Sequence, residues 1–489
     1  MIEQASFENQ KEEPGQKLLD YFAPMVVVHD VVGAFPDGMK SDEAHGHRAL
    51  AARALTLPVK TVYIPEEYKT AIDGQHEYFN SIGIGPKEVR FVSVSTGETL
   101  FEASTRDMAV RGDSNNTPLT LYGQSKKIQE VFQRQSQKQI GETADNQSVL
   151  KTMTDLKRER GLPTLRSSGT TEGVANNKLF LRKILADRLG DTGKDPKSIN
   201  IDFVPVIRDQ NIDDQLWENQ VNALLSRGGK NSVVIKATTW GSGNFIRFCS
   251  NLQEVKYFIE EVREQYRIEY PGMKPDFVVE EDFSAEKDSE LSAQFLIEND
   301  GGVTFGRAAR NIVGDGSAGS KFHWRGNVVA GNPNDSINRQ IAEHVPQIKK
   351  VAEYYAKLGY RGYLGFDLLH LRSGQIKILE INARITGAMA PLLMLEQLIR
   401  RQRTRNIVVG YIEDIEPGVD TEIKNFKQLK VALGDLIYDD ARGTGIVPSL
   451  ATRLPKRFGA EFVGKDMDEV RGLEREMYER LKVKDTFAF

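Results

Sequence analysis

Residues 364–384 read LGFDLLHLRSGQIKILEINAR, two apolar, strand-like runs around a Ser373-Gly374 turn dipeptide. A two-residue loop at that dipeptide pairs Arg372 with Gln375. Counted outward, the same register sets Asp367 opposite Glu380 and Gly365 opposite Asn382. Side chains alternate along a strand, so these four positions share one face. Carboxylates directly opposite each other, with Cβ atoms about 5 Å apart, repel. A cation between them removes the repulsion. Asp367, Glu380 and Asn382 offer three hard oxygen donors of the kind that Mg²⁺ takes, with phosphates and water completing the shell. Gly365 opposite Asn382 leaves room for a ligand. The alternative is a solvated outer face with incidental acids. Leu369 and Ile378 continue the same face, so it is not freely solvated.

The 489 residues carry 65 Lys+Arg against 69 Asp+Glu, a formal net charge of -4. With no basic excess, a strong non-specific nucleic-acid binder is excluded. One cysteine, Cys249, makes neither an intrachain disulfide nor a Cys-rich zinc site, and it fits a reducing compartment. The first residues are acidic and polar, without an apolar signal core. Nowhere do about 18 apolar residues run together. These features set the expectation of a cytoplasmic protein with no membrane and no nucleic-acid partner.

Residues 1–20 read as a flexible tail. Short β-branched runs at 25–28, 59–64 and 89–94, with a helical pattern between the last two, predict an α/β layer with a parallel sheet over residues 21–150. Residues 176–189 read as an amphipathic helix, with Asn176 or Asn177 as cap and Gly190 as stop. Further strands are expected at 233–237, 277–281, 291–297 and 303–308. Helices are expected at 252–266, 341–358 and 466–482.

Gly314-Asp315-Gly316-Ser317-Ala318-Gly319 matches the spacing of a dinucleotide fingerprint, but the residues after it do not start a helix. Ser320-Lys321 inverts the last two residues of a P-loop. A mobile Gly-rich lid and an ordinary exposed loop both remain open for this stretch.

Lys236 sits among apolar residues on a strand, followed by a loop containing Trp240, Gly241, Ser242 and Gly243. A lysine before a loop with free backbone N–H groups can grip and cover a polyphosphate. A lysine at a strand edge also serves simply to prevent edge pairing. The run at 277–283 is an apolar strand ending in Glu280, Glu281, Asp282 and Phe283. Its backbone can meet an adenine edge, a Glu can accept from the exocyclic amine, and Glu290 can bond ribose hydroxyls. Taken singly, each of these reads better as an acidic loop.

The order of these pieces resembles the ATP-grasp superfamily of ligases across roughly residues 160–400. The most specific motif is an Asp strand followed by Glu-x-Asn-x-Arg, here Glu380-Ile381-Asn382-Ala383-Arg384. The resemblance implies an α/β (α+β) chain in five parts. These are the tail, an N-terminal pre-ATP-grasp domain (21–150), a first grasp subdomain (151–230), nucleotide- and metal-binding subdomains (231–400) and a C-terminal subdomain (401–489). Gly443-Thr444-Gly445-Ile446-Val447-Pro448 near the C-terminus is similar to the tail of pheganomycin-type peptide ligases.

The resemblance further implies ATP and Mg²⁺, with Mn²⁺ as an alternative. Lys178 and Lys236 then meet the phosphates, with Lys183 the competitor of Lys178 on the same helix. Residues 239–244 form the lid, although with two glycines and a bulky Trp240 it departs from the family pattern. Glu280, Glu281 and Phe283 form the adenine hinge, Glu290 holds the ribose, and Asp367, Glu380 and Asn382 hold the metal. Arg384 holds the substrate carboxylate or the oxyanion, with Arg307 and Arg310 as second candidates and His323 and Trp324 lining an acceptor pocket. The implied reaction joins a small-molecule carboxylate to an amine or peptide through an acyl phosphate. A bicarbonate-type carboxylation and a non-catalytic nucleotide-binding role are the alternatives. A homodimer is the default assembly.

Overall fold

The computed structural model describes residues 14–24, 26–28, 54–95, 100–111, 119–121, 178–191, 198–207, 211–227, 232–238, 245–269, 275–298, 300–314, 323–358, 360, 362–383, 386–418, 421–484 and 489. After helix α1 (Pro14–Phe22) come strands β1 (Val26–Val28), β2 (Thr61–Pro65), β3 (Glu88–Val92) and β4 (Leu119–Leu121). They form a parallel sheet in the order β3-β2-β1-β4. Parallel neighbours need crossovers. Helix α2 (Gln75–Ser81) lies between β2 and β3 in the chain, and α3 (Leu100–Arg111) between β3 and β4. Every residue of β2 is buried, as befits an inner strand covered on both faces.

Helix α4 (Lys178–Leu189) ends at Gly190, whose φ of +68° suits a left-handed stop. The asparagines expected to cap it lie outside the described residues. Next comes an antiparallel layer: β5 (Phe203–Val206), α5 (Gln215–Leu225), β6 (Val233–Ala237), β7 (Ile246–Cys249), α6 (Leu252–Glu269) and β8 (Phe277–Glu281). Its strand order is β5-β8-β6-β7. Val233, Ile235, Phe277 and Val279 alternate onto one face and build a core with Trp217, Val221, Phe258 and Ile259. This core is separate from the main one. Trp217 and Val221 of α5 share this core with Val233 and Ile235 of β6.

The largest layer is an eight-stranded antiparallel sheet. Its strands are β9 (Lys287–Ile297), β10 (Val303–Gly314), β11 (His323–Ala330), β12 (Gly362–Leu371), β13 (Ile376–Asn382), β14 (Val408–Ile415), β15 (Gly445–Ser449) and β16 (Phe458–Gly464). They lie in the order β13-β12-β9-β10-β11-β14-β16-β15. Five helices accompany it: α7 (Ser336–Ala342), α8 (Val345–Lys357), α9 (Met389–Gln402), α10 (Phe426–Leu433) and α11 (Met467–Arg480). The single helix expected at 341–358 is therefore two. Pro346 is tolerated only in a first turn, so the chain restarts at Val345. Gly314 ends β10, whose antiparallel partner is β11, and residues 315–322 of the Gly-rich stretch lie outside the described residues. Among the described residues, no helix is long and apolar enough to cross a membrane.

Candidate nucleotide and metal site

Strands β12 and β13 pair with Asp367 opposite Glu380 and Gly365 opposite Asn382. The route to this register differs from the expected two-residue loop. The loop holds three residues, Arg372 to Gly374, closed by the Leu371 N–H donating to the Gln375 carbonyl at 2.8 Å. Gly374 takes the left-handed conformation, with φ +83°. Leu368, Leu369 and His370 consequently pair with Ile378, Lys377 and Ile376. A register shift between Asp367 and Leu368 then restores the alignment, with Leu379 the extra residue. The two departures cancel at the carboxylates. They do not cancel nearer the turn, which corrects the expectation for Ile378. That side chain joins Leu368 in the core, and Lys377 takes the place opposite Leu369. Lys377 is buried; its Nζ donates to the Ser198 carbonyl at 2.7 Å and lies 5.4 Å from the Phe283 ring centroid.

Asp367 is held on both oxygens. Ser292 Oγ donates to Oδ1 at 3.2 Å, and Asn382 Nδ2 donates to Oδ2 at 2.7 Å. Gln294 Nε2 in turn donates to Ser292 Oγ at 2.5 Å, and Tyr363 donates to Gln294 Oε1 at 2.8 Å. Burial, with Glu380 alongside, pushes the Asp367 carboxyl up to about 7. Such a pair calls for a positive charge. Among the described residues, no group of three or more His, Cys, Asp or Glu is placed to hold a metal ion by itself. The donor set is two carboxylates and an amide oxygen, all hard ligands, and it fits Mg²⁺ with a substrate and water supplying the rest. In this structure, Lys178 Nζ lies 2.8 Å from Glu380 Oε2 and supplies the cation.

Lys178 opens α4, and its N–H donates to the carbonyl of Thr238, just past β6. That contact brings the helix to the strand bearing Lys236. On β6 and β8, the face opposite the small core carries Lys236 and Glu280, with Lys236 Nζ 2.7 Å from Glu280 Oε2. The second Glu280 oxygen accepts from Arg182 Nε at 2.7 Å. Arg182 is fully buried, and its Nη1 and Nη2 donate to the carbonyls of Ile378 and Leu379 at 2.7 and 3.1 Å. One guanidinium therefore joins the nucleotide-side strand to the bulge beside Glu380. Burial alone raises the Glu280 carboxyl, but Arg182 and Lys236 outweigh it and hold it below the ordinary range. The Glu280 side chain is thus committed to two cations, whereas the sequence suggests an adenine amine as its partner.

Sequence reasoning misses both Arg182 and Lys377. Arg182 sits among the apolar positions of α4, and that intrusion into an otherwise buried stripe is the one available signal. Glu281 lies 3.8 Å from Arg227, and its N–H donates to the Asp202 carbonyl. Phe283 lies beside Lys377. Glu290 is buried on β9 with Lys287 Nζ at 2.5 Å, two residues before Ser292 on the same face.

The second-choice arginines do not converge on this set. Arg307 is bound by Glu396 at 2.5 Å and donates to the carbonyls of Ala330 and Gly331, which occupies its fork. Arg310 pairs in register with Leu291, one residue out of phase with Ser292, so it points to the opposite face of the sheet. Trp324 packs on Gly387, where a Cβ would lie 2.5 Å from the indole, and its ring centroid is 6.2 Å from that of Tyr411. Arg384 and the lid residues Trp240, Gly241, Ser242 and Gly243 lie outside the described residues, as does the His323 side chain.

Residues 219–388 match the family model of an ATP-grasp domain. The chain carries an ATP-grasp domain. One solved structure supports the fold, and two others are similar more loosely. The biotin carboxylase domain of a Hydrogenobacter thermophilus 2-oxoglutarate carboxylase, in complex with MgADP, ADP and bicarbonate, superposes with a TM-score of 0.51 at 13% identity. The match covers 95% of this chain and 91% of that one. An L-amino acid ligase from Bacillus licheniformis gives 0.43 at 12% identity, covering 95% and 98%. N5-carboxyaminoimidazole synthase from Aspergillus clavatus gives 0.47 at 13%, covering 94% and 99%. The first of these likenesses, at 13% identity, speaks for the fold alone. No curated protein matches the sequence.

Proposed function

We propose that the protein is an ATP-dependent ligase joining a carboxylate, of amino-acid or peptide type, to an amine through an acyl phosphate. The observation that carries this reading is the pairing of Lys178 with Glu380, the strand register that sets Glu380 and Asn382 against Asp367 and Gly365, and the Lys236–Glu280 pair that Arg182 ties to the same hairpin. Two carboxylates and an amide on one face would hold Mg²⁺, which neutralises phosphate oxygens when bound. Lys178 and Lys236 would meet the polyphosphate chain. The β8 backbone after Glu280 would meet adenine, and Glu290 the ribose. The substrate carboxylate attacks the γ-phosphorus and ADP leaves. The amine then attacks the acyl carbon and expels phosphate.

Arg384, two residues past Asn382 in sequence, keeps the role of holding the carboxylate or the oxyanion through a bidentate contact. Trp324 would line the amine side. The Gly-rich loops at 239–244 and 314–319 would exclude water from the acyl phosphate. The reading is tested by nucleotide analysis of turnover mixtures. ADP release that requires a carboxylate and an amine together supports it; AMP release, or turnover driven by bicarbonate without an amine, contradicts it.

A further inference from the structure

Gln294 is fully buried on β9, opposite Gly365 of β12 and two residues from Ser292 on the same face. Its side chain has no part in the proposed chemistry. The Tyr363 hydroxyl donates to Gln294 Oε1 at 2.8 Å, and burial holds that phenol far above its ordinary value, so it stays a donor. This bond fixes which way the amide points, and Nε2 donates to Ser292 Oγ at 2.5 Å. Having accepted there, the Ser292 hydroxyl keeps its own hydrogen for Asp367 Oδ1 at 3.2 Å. Every donor along the chain therefore points toward Asp367, the acceptor at its end.

The amide also meets a second element. A Cβ on Gly365 would lie 2.9 Å from Gln294 Oε1 and 2.9 Å from Thr386 Cγ2, which leaves no room for a side chain there. The space expected for a ligand at Gly365 is thus filled by Gln294 and Thr386, whose Oγ1 lies 3.5 Å from Gln294 Oε1. Thr386 stands two residues past Arg384 in sequence, and its neighbour Gly387 packs on Trp324. The Thr386 carbonyl accepts from the Met389 N–H at 3.1 Å, where α9 begins.

We infer that Gln294 is a positioning residue that ties Asp367 to Thr386 and Gly387, so that the metal carboxylate and the start of α9 are set together. The inference deepens the proposed function and rests on it for one thing, Asp367 as a metal ligand. Hydrogen-bonded partners behind a metal ligand set its orientation. Behind Asp367 stands Ser292, behind Ser292 stands Gln294, and Gln294 touches Thr386. Order imposed at one end of this chain reaches the other.

The test joins two readouts on the full-length protein. One is Mn²⁺ binding, followed by paramagnetic relaxation. The other is amide hydrogen exchange in peptides that begin near Thr386, read by mass spectrometry. In wild type, Mn²⁺ should slow exchange in those peptides. The double variant Gln294→Leu/Tyr363→Phe removes the acceptor together with its donor, so no phenol is left unpaired. It should bind Mn²⁺ about tenfold more weakly, the usual cost of losing a group behind a metal ligand, and the slowing should vanish. Ser292→Ala cuts the chain with a smaller change and should also abolish the slowing, which keeps the test decisive where the double variant melts early. Wild-type Mn²⁺ affinity in the folded double variant, or no slowing in wild type, overturns the inference and leaves the metal reading standing. Weaker Mn²⁺ binding with the slowing intact also overturns it, since Gln294 would then serve Asp367 without reaching Thr386. Mn²⁺ that fails to bind wild type, or binds Asp367→Asn equally well, overturns the metal reading itself, and the tie falls with it.

Discussion

Lys178 Nζ sits 2.8 Å from Glu380 Oε2, so one ammonium both opens α4 and neutralises half of the carboxylate pair. On the proposed function, a metal bound at Asp367 and Glu380 would compete with that ammonium and would free Lys178 to meet a phosphate. That single exchange of partners would couple the helix, the hairpin and the polyphosphate.

Lys178→Met tests the exchange. Removing the ammonium leaves Glu380 more open to metal, so Mn²⁺ binding without nucleotide, followed by paramagnetic relaxation, should tighten. ATP turnover should fall on the order of 10²-fold, as when a charge-stabilising donor is removed. Lys183→Met, on the same helix, should alter neither. Weaker metal binding in Lys178→Met would mean that the ammonium orients Glu380 and does not compete with the cation.

Glu380→Gln keeps the shape and removes one charge. Turnover with Mg²⁺ and ATP is expected to drop on the order of 10²-fold or more while circular dichroism and the melting profile stay native. Normal turnover by a folded variant contradicts the metal assignment.

The hairpin shows how much of the site is legible in the sequence. Alternation and the Ser373-Gly374 turn bring Asp367 opposite Glu380, as the structure does. The agreement holds although the loop has three residues, because the bulge at Leu379 compensates. Bulges carry no compositional mark in an apolar run, which is why Ile378 and Lys377 are exchanged in the sequence reading. The motif order places Lys178 and Lys236, but composition does not say where a carboxylate's two oxygens go, so Glu280 reads as an adenine acceptor. Arg310 reads as a site residue because it precedes the Gly-rich stretch at 314–319. The strand runs to Gly314, and its alternation turns Arg310 away. The parallel layer follows from strand spacing, whereas the separate small core depends on a pairing of β5 with β8 more than seventy residues apart, which no local pattern records.

Arg182 joins Glu280 to the bulge carbonyls, and removing it leaves a buried carboxylate facing Lys236 alone. Arg182→Leu should lower stability by about 3–5 kcal/mol, as for one partner of a buried pair. In a double-mutant cycle with Glu280→Gln, the two losses should be strongly non-additive, because one network is broken twice. Additive losses in urea titrations would show that Arg182 acts through the carbonyls and not through Glu280.

The same carboxylate sets an acid dependence. Glu280 titrates below its ordinary value in the fold, so its ion pairs stabilise the protein above the unfolded-state value and that stability is lost as pH falls through the folded one. Wild type should therefore lose melting temperature more steeply than Glu280→Gln on acidification below about pH 4.5. Parallel acid limbs for the two proteins would contradict the assignment.

The most direct measurement is hydroxylamine trapping. The protein is incubated with ATP, Mg²⁺, hydroxylamine and single carboxylic acids drawn from amino acids, N-modified amino acids and short peptides, and products are read by mass spectrometry. A hydroxamate formed in step with ADP is the expected result, and it names the carboxylate. A hydroxamate formed in step with AMP contradicts acyl-phosphate chemistry and, with it, the proposed function.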